Sequence, residues 1–159
     1  NQKEAAMSWQ TLKAYLNVKK FGFLSLCAVS VFTYAQQGDL TLTVEAGGAE
    51  HGKGQALFDL FDSEESFLAQ PLISLTASID TKGQAIFVLP GLSAGTYAFS
   101  VIYDEDSDGE LKTGFLGIPK EKVAVSNNAR PRFGPPRYKD AVFTLSESTR
   151  MSVRLDDAQ

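Results

Sequence analysis

Leu40-Thr41-Leu42-Thr43-Val44-Glu45 alternates apolar and polar residues without a break. A repeat of two is the period of an extended chain, whose successive side chains point to opposite faces, so this stretch reads as a half-buried β-strand. The same pattern returns along the chain. Residues 56–61, 72–79, 85–89, 96–103, 123–125, 141–145 and 151–155 are strand-like runs. Gly47-Gly48, Gly52-Lys53-Gly54, Asp80-Thr81-Lys82-Gly83 and Pro90-Gly91 punctuate them as turns. No gap between strands holds the helical pattern of about 10–15 residues that a parallel α/β sheet needs. One mixed segment, 62–70, offers Asp62 or Ser63 as the cap of a short helix with Phe67 and Leu68 turned inward. The expected fold is all-β: an antiparallel, immunoglobulin-like or transthyretin-like β-sandwich of about seven to eight strands. Pro71 marks the run after it as an edge strand or a strand start.

The first 35 residues have a different character. Lys13, Lys19 and Lys20 precede an uncharged apolar stretch, Phe21 to Ala35, that closes on Thr33-Tyr34-Ala35 and gives way to polar Gln36-Gln37-Gly38-Asp39. A basic region, an apolar core and a small-residue cleavage site predict a signal peptide over residues 1–35, with Met7 as the start. Fifteen apolar residues at about 1.5 Å each span about 22 Å, short of a hydrocarbon core of about 30 Å, which argues against a retained anchor. The expected mature domain is 36–159, exported to the periplasm or the extracellular space, with no transmembrane span. It carries eleven basic and eighteen acidic residues, a net charge of −7. That excess excludes nucleic acid and anionic lipid as natural partners. The single cysteine, Cys27, lies in the signal segment, so the domain must be held by its core without disulfides. One histidine, His51, and no mature cysteine exclude a zinc centre or a histidine-based catalytic triad.

A longer comparison of motifs points to a family. The stretch 87–97, with Leu92, Gly95 and Tyr97, has the apolar-x-x-Leu-x-x-Gly-x-Tyr form shared by many transthyretin-like and carboxypeptidase-regulatory-like sandwiches. The downstream run is more specific: 104–111 (DEDSDGEL), 115–121 (FLGIPKE), Ser126-Asn127-Asn128-Ala129, and 133–136 (FGPP) followed by Asp140-Ala141-Val142-Phe143. This resembles a bacterial exported family catalogued as domain of unknown function number 2141, from about Asp39 to Leu155. The resemblance implies an immunoglobulin-like fold and an exported protein, and brings no activity with it. One departure is that Lys112 stands where the family often has Asp or Asn.

The chemistry is concentrated where the apolar run ending at Tyr103 meets Asp104-Glu105-Asp106-Ser107-Asp108-Gly109-Glu110-Leu111. Asp104, Asp106 and Asp108 match the alternate oxygen ligands of a calcium loop, Gly109 its sharp turn, Glu110 its carbonyl position and Leu111 its apolar position. The bidentate glutamate is missing, Phe115 standing in its place, so any Ca2+ held there needs further ligands such as Asp140, loop carbonyls or water. Three neighbouring carboxylates require compensation. The alternatives are calcium, an arginine lock drawn from Arg130, Arg132, Arg137 and Lys139, or a solvated hairpin turn. Apolar strand followed by Asp-x-Asp also resembles the nucleophile strand of haloacid-dehalogenase-type phosphotransferases, with Asp156-Asp157 as a late acidic pair. That chemistry sits on a parallel sheet flanked by helices, which this pattern lacks. Asn127 and Asn128 are expected to tie their loop through side-chain to backbone hydrogen bonds, and Phe133 and Tyr138 either plug the core or face solvent. The leading expectation is a non-enzymatic module that binds a cell-envelope protein or a glycan through the loop end formed by residues 104–140. The runner-up is a purely structural domain.

Overall fold

A computed structural model describes residues 38–114, 119–130 and 134–157. The segment read as a signal peptide lies outside the described residues, as do Phe115, Arg132 and Phe133. Eight strands follow in order: β1 (Leu40–Gly47), β2 (Gln55–Phe61), β3 (Ile73–Ser78), β4 (Gln84–Leu92), β5 (Gly95–Asp104), β6 (Val123–Val125), β7 (Phe143–Leu145) and β8 (Thr149–Arg154). A 3-10 turn, Ser126–Asn128, follows β6, and a single helical turn, α1 (Tyr138–Ala141), precedes β7.

The strands form two sheets. One has the order β4-β1-β8; the other runs β3-β2-β5-β6, with β7 also paired to β5. The pairings are antiparallel except β1 with β8, which run parallel from Leu42↔Thr149 to Gly47↔Arg154. That departs from the all-antiparallel expectation. The physical reason is one of connection: β8 closes the domain from the far side of β1 after the long excursion through β6 and β7, and is not bound by a hairpin.

Alternation explains which side of each strand is buried. Leu42, Val44 and Ala46 of β1 and Ala85, Phe87 and Leu89 of β4 face Ala56, Phe58 and Leu60 of β2 and Tyr97, Phe99, Val101 and Tyr103 of β5. Phe58 is the keystone. Its ring stacks on Phe87 of the opposite sheet at 4.9 Å and lies 5.4 Å from Phe99 of its own. The Leu-x-x-Gly-x-Tyr motif also acquires a cause. The Tyr97 hydroxyl donates back to the Ser93 carbonyl at 3.0 Å, closing the turn between β4 and β5.

β5 is covered on its second face as well. Ala98, Val125 and Ala141 form a small outer core, overlaid by Phe67, Ala129 and Tyr138. Tyr138 therefore plugs a core edge instead of standing in solvent, its ring 5.6 Å from Phe67. The expected helix over 62–70 is a run of turns: Ser63 Oγ accepts the Ser66 N–H as an N-cap does, but the backbone turns left-handed at Leu68 before a helix can continue. Phe67 turns inward as expected, but Leu68 does not: it is exposed, with a left-handed φ of 57°.

A buried hydroxyl stitches the outer core. Ser126 accepts the Phe99 N–H at 3.0 Å and donates to the Ala141 carbonyl at 2.7 Å, joining β5 to α1. The next two residues, both left-handed, complete the clasp: the Asn127 amide donates to the Ala141 and Val142 carbonyls, and Asn128 Oδ1 accepts the Arg154 N–H. This is the side-chain to backbone role expected of the asparagines. Ser126→Ala strands the buried Phe99 N–H and leaves the Ala141 carbonyl to Asn127 alone, and is expected to lower unfolding stability by about 1–3 kcal/mol in urea denaturation. Phe58→Ala, which opens a cavity between the sheets, is expected to cost about 3–5 kcal/mol.

Candidate functional site: the acidic loop after β5

The acidic loop begins inside the fold. Asp104 is the last residue of β5, paired with Gln55 of β2, and its side chain is fully buried. A buried carboxylate must find donors, and this one finds them locally. Gln55 Nε2 donates to Oδ2 at 2.7 Å, the Gly109 N–H donates to the same oxygen at 2.8 Å, and the Asp108 N–H donates to Oδ1 at 3.2 Å. The chain winds around Asp104 to bring those N–H groups in. The winding needs left-handed backbone at Ser107 (φ 61°) and Gly109 (φ 80°), which is why a glycine stands at 109. Burial alone would raise the Asp104 pKa; donation from Gln55 and from the Gly109, Asp108 and Ser107 N–H groups outweighs it, and the net shift is downward.

The winding also converges the carboxylates. One oxygen each from Asp104, Asp106 and Asp108 can be chosen so that all lie within 4.8 Å of one another. An all-carboxylate donor set suits a hard cation such as calcium. Glu110 is not part of that cluster; it contributes its N–H to Asp108 Oδ1 at 3.0 Å.

A cation from the chain itself already serves the cluster. Lys112 Nζ pairs with Asp106 and, at 2.9 Å, with Asp108. Those bonds raise the Lys112 pKa, and Lys112, followed by the Glu110 N–H, lowers that of Asp108. Of the arginines expected to lock the loop, the two described ones are engaged elsewhere. Arg130 pairs with Asp156, which also holds Arg154, and Arg137 pairs with Asp140 within its own turn. Both arginines have nearer carboxylates than the acidic loop. Asp140, so engaged, is also not among the residues that converge with Asp104. A wholly solvated turn is corrected, because Asp104 is buried.

Two further ties anchor the loop, and neither was legible from spacing. Glu105 pairs with Lys53, which also pairs with Glu50 at 3.3 Å, fastening the acidic loop to the β1–β2 connection. That approach demands Gly54, where a Cβ would lie 2.5 Å from the Asp104 carbonyl oxygen. On the far side, half-hidden in sequence among lysines, Glu121 is buried and accepts the Lys112 N–H at 3.0 Å. The Lys120 N–H donates to the Lys112 carbonyl at 2.8 Å, and Thr113 bridges Pro119. Lys112 is thus held by its backbone while its ammonium reaches the aspartates. The late acidic pair is apart from this: Asp156 forms a two-way backbone bridge with Val123 at the β6 edge.

A family model described as "Uncharacterized protein conserved in bacteria (DUF2141)" matches residues 44–153. No curated protein and no solved structure matches the chain. Among the described residues, no helix is long and apolar enough to cross a membrane.

Asp104→Ala removes the acceptor of three donors and is expected to cost about 2–4 kcal/mol of stability whether or not a metal is supplied. The pH dependence has a definite sign. The folded pKa of Asp104 lies below its unfolded value of about 3.9, so its stabilisation is complete above that pH and is lost as pH falls through the folded pKa. The stability gap between wild type and Asp104→Asn, measured by urea denaturation, is expected to be constant from pH 5 to 7 and to narrow below about pH 4.

Proposed function

The chain belongs to the DUF2141 family of bacterial proteins, and on that premise we propose that it is an exported, non-enzymatic β-sandwich module whose acidic loop responds to calcium. The observation that carries this reading is the convergence of Asp104, Asp106 and Asp108 to within 4.8 Å around the left-handed Gly109. In the absence of metal, Lys112 neutralises the outer two carboxylates. Calcium competes with that ammonium for the same oxygens, draws further ligands from loop carbonyls and water, and stiffens the loop end of residues 104–140 for a partner in the cell envelope. The role is structural and not catalytic. The phosphotransferase alternative asks for a parallel sheet flanked by helices, whereas this Asp-x-Asp follows a strand whose own pairings are antiparallel.

A second reading rests on Lys112 itself. An ammonium bonded to both Asp106 and Asp108 makes the loop self-sufficient, and the domain purely structural. Thermal unfolding separates the two. With a dissociation constant of about 10⁻⁴ M, typical of extracellular sites, 10 mM calcium is an excess of about 100-fold and contributes about 2.7 kcal/mol. That corresponds to a Tm rise on the order of 10 °C for a domain of this size. The calcium reading expects that rise over EDTA, a smaller one with magnesium, and a larger one in Lys112→Gln, where the competing ammonium is gone. If calcium leaves the wild type unmoved, and Lys112→Gln is destabilised without rescue by calcium, the loop is a lysine lock and the calcium reading fails.

A further inference from the structure

Among the described residues, three carboxylates stand on strands: Glu45, Asp59 and Asp104. A strand is a poor place for aspartate, whose short polar side chain favours turns. Two of the three are compensated. Glu45 pairs with Arg150, and Asp104 is wrapped by Gln55 and two N–H groups. Asp59 differs. It interrupts the apolar run 56–61 in the middle of β2 and is half-buried. Among the described residues no cation pairs with it. The Ser74 hydroxyl donates to its Oδ1 at 2.5 Å, and its Oδ2 accepts from none of the described residues. Half-burying a charge with so little compensation costs stability, and such local conflicts concentrate where a surface has a task.

Strand register sets what surrounds Asp59. It pairs with Ser74 on β3 and with Ser100 on β5. Phe99 and Val101 point into the core, so Ser100 stands with Asp59 on the outer face of the sheet. Ser100 is only 9% exposed, and among the described residues its hydroxyl has no partner. Cross-strand neighbours lie about 4.5–5.5 Å apart at Cβ, yet Asp59 and Ser100 are not bonded to each other. Apolar rows border the pair on both sides, each about 7 Å away along the strands. One holds Phe61 and Ala98, with the Phe67 ring 5.4 Å from Phe61 and Tyr138 beyond it. The other is a half-buried row of Leu57, Ile102 and Val123.

We propose that this outer face of β2 and β5 binds a sugar ring of a cell-envelope glycan. Asp59 Oδ2 and Ser100 Oγ bond neighbouring ring hydroxyls, and Leu57 and Ile102 lie against the C–H face of the ring. The donor inventory selects a polyol. A carboxylate only accepts, whereas a serine hydroxyl both donates and accepts, and a vicinal diol answers both. An ammonium or guanidinium group would satisfy Asp59, but it has no acceptor for the Ser100 proton. Phosphate and carboxylate ligands are repelled by Asp59 and by the net charge of −7. The acidic loop rises from the same face at Asp104, beyond the Leu57 and Ile102 row. The export reading supplies the glycan, but sugar binding in vitro depends neither on that reading nor on calcium.

Titration of the 15N-labelled protein in EDTA with glucose, galactose and N-acetylglucosamine, each to about 100 mM, tests this by NMR. A single open subsite implies a dissociation constant on the order of 1–10 mM. Saturable shifts are expected for at least one sugar at the amides of 57–59 and 100–102. Asp59→Asn is expected to weaken binding about tenfold or more, and Ser100→Ala about threefold, neither lowering the Tm. Thr43→Ala, on the outer face of the opposite sheet, is expected to leave binding unchanged. n-Butylammonium, the end of a lysine side chain, serves as the competing probe. No saturable shift with any of the sugars overturns the proposal. So do shifts confined to other strands, or an affinity indifferent to Asp59→Asn. Tighter binding of n-butylammonium than of the sugars also overturns it, and makes the face a site for a basic protein partner.

Discussion

The structure depends on burying both faces of β5. Most strands of a two-layer sandwich show one face to the core and the other to water. β5 is paired with β2 along one side and with β6 and β7 along the other. Its inner face meets the opposite sheet through Phe99, Val101 and Tyr103, and its outer face lies under Phe67, Val125, Ala141 and Tyr138. The connections after β5 exist in this form because that outer face needs a cover. The 3-10 turn and α1 are too short to be stable alone. They are held by the Ser126 hydroxyl and the Asn127 and Asn128 amides, which supply the partners their backbone groups would otherwise lack.

Asp104 carries that rigidity into the acidic loop. The strand that is best fixed ends in a carboxylate that cannot reach solvent, so the next five residues must wrap it with N–H groups. The convergence of Asp106 and Asp108 follows from this wrapping. Charge is then settled pair by pair: Glu105 with Lys53, and Asp106 and Asp108 with Lys112. These outer pairs are exposed and individually weak. Their effect is to choose a conformation for a loop whose inner end is already anchored. The Lys112 ammonium and the order of the loop are therefore coupled through the same few oxygens.

The strands were largely legible because period two is a direct consequence of extended geometry. Leu40 to Glu45, the run ending at Tyr103, and the Asp80 turn appear where alternation and turn chemistry put them; the Asp80 carboxylate accepts the Lys82 and Gln84 N–H groups as such turns require. The segment 62–70 was misread because a capping pattern is local. Ser63 does accept the Ser66 N–H as a cap would, but the chain turns at Leu68 where a helix would have continued. Leu68, apolar and therefore assigned inward, is outside because the backbone reverses hand at that residue.

The acidic loop divides along the same line. Local spacing marked Asp104, Asp106, Asp108 and Gly109 as one turn, because alternate acidic residues followed by glycine suit a tight turn, and the fold made their carboxylates converge. Sequence alone likewise determined the all-β class, since alternation is a property of the chain and needs no partner to be read. Tertiary structure decided everything that depends on which segments become neighbours. It made Asp104 a buried anchor through Gln55, 49 residues earlier. It assigned compensation to Lys112 and not to Arg130 or Arg137, because those arginines meet Asp156 and Asp140 first. It ran β8 parallel to β1, and set Ser100 beside Asp59. Periodicity reports which way a side chain points, and only packing decides what it meets.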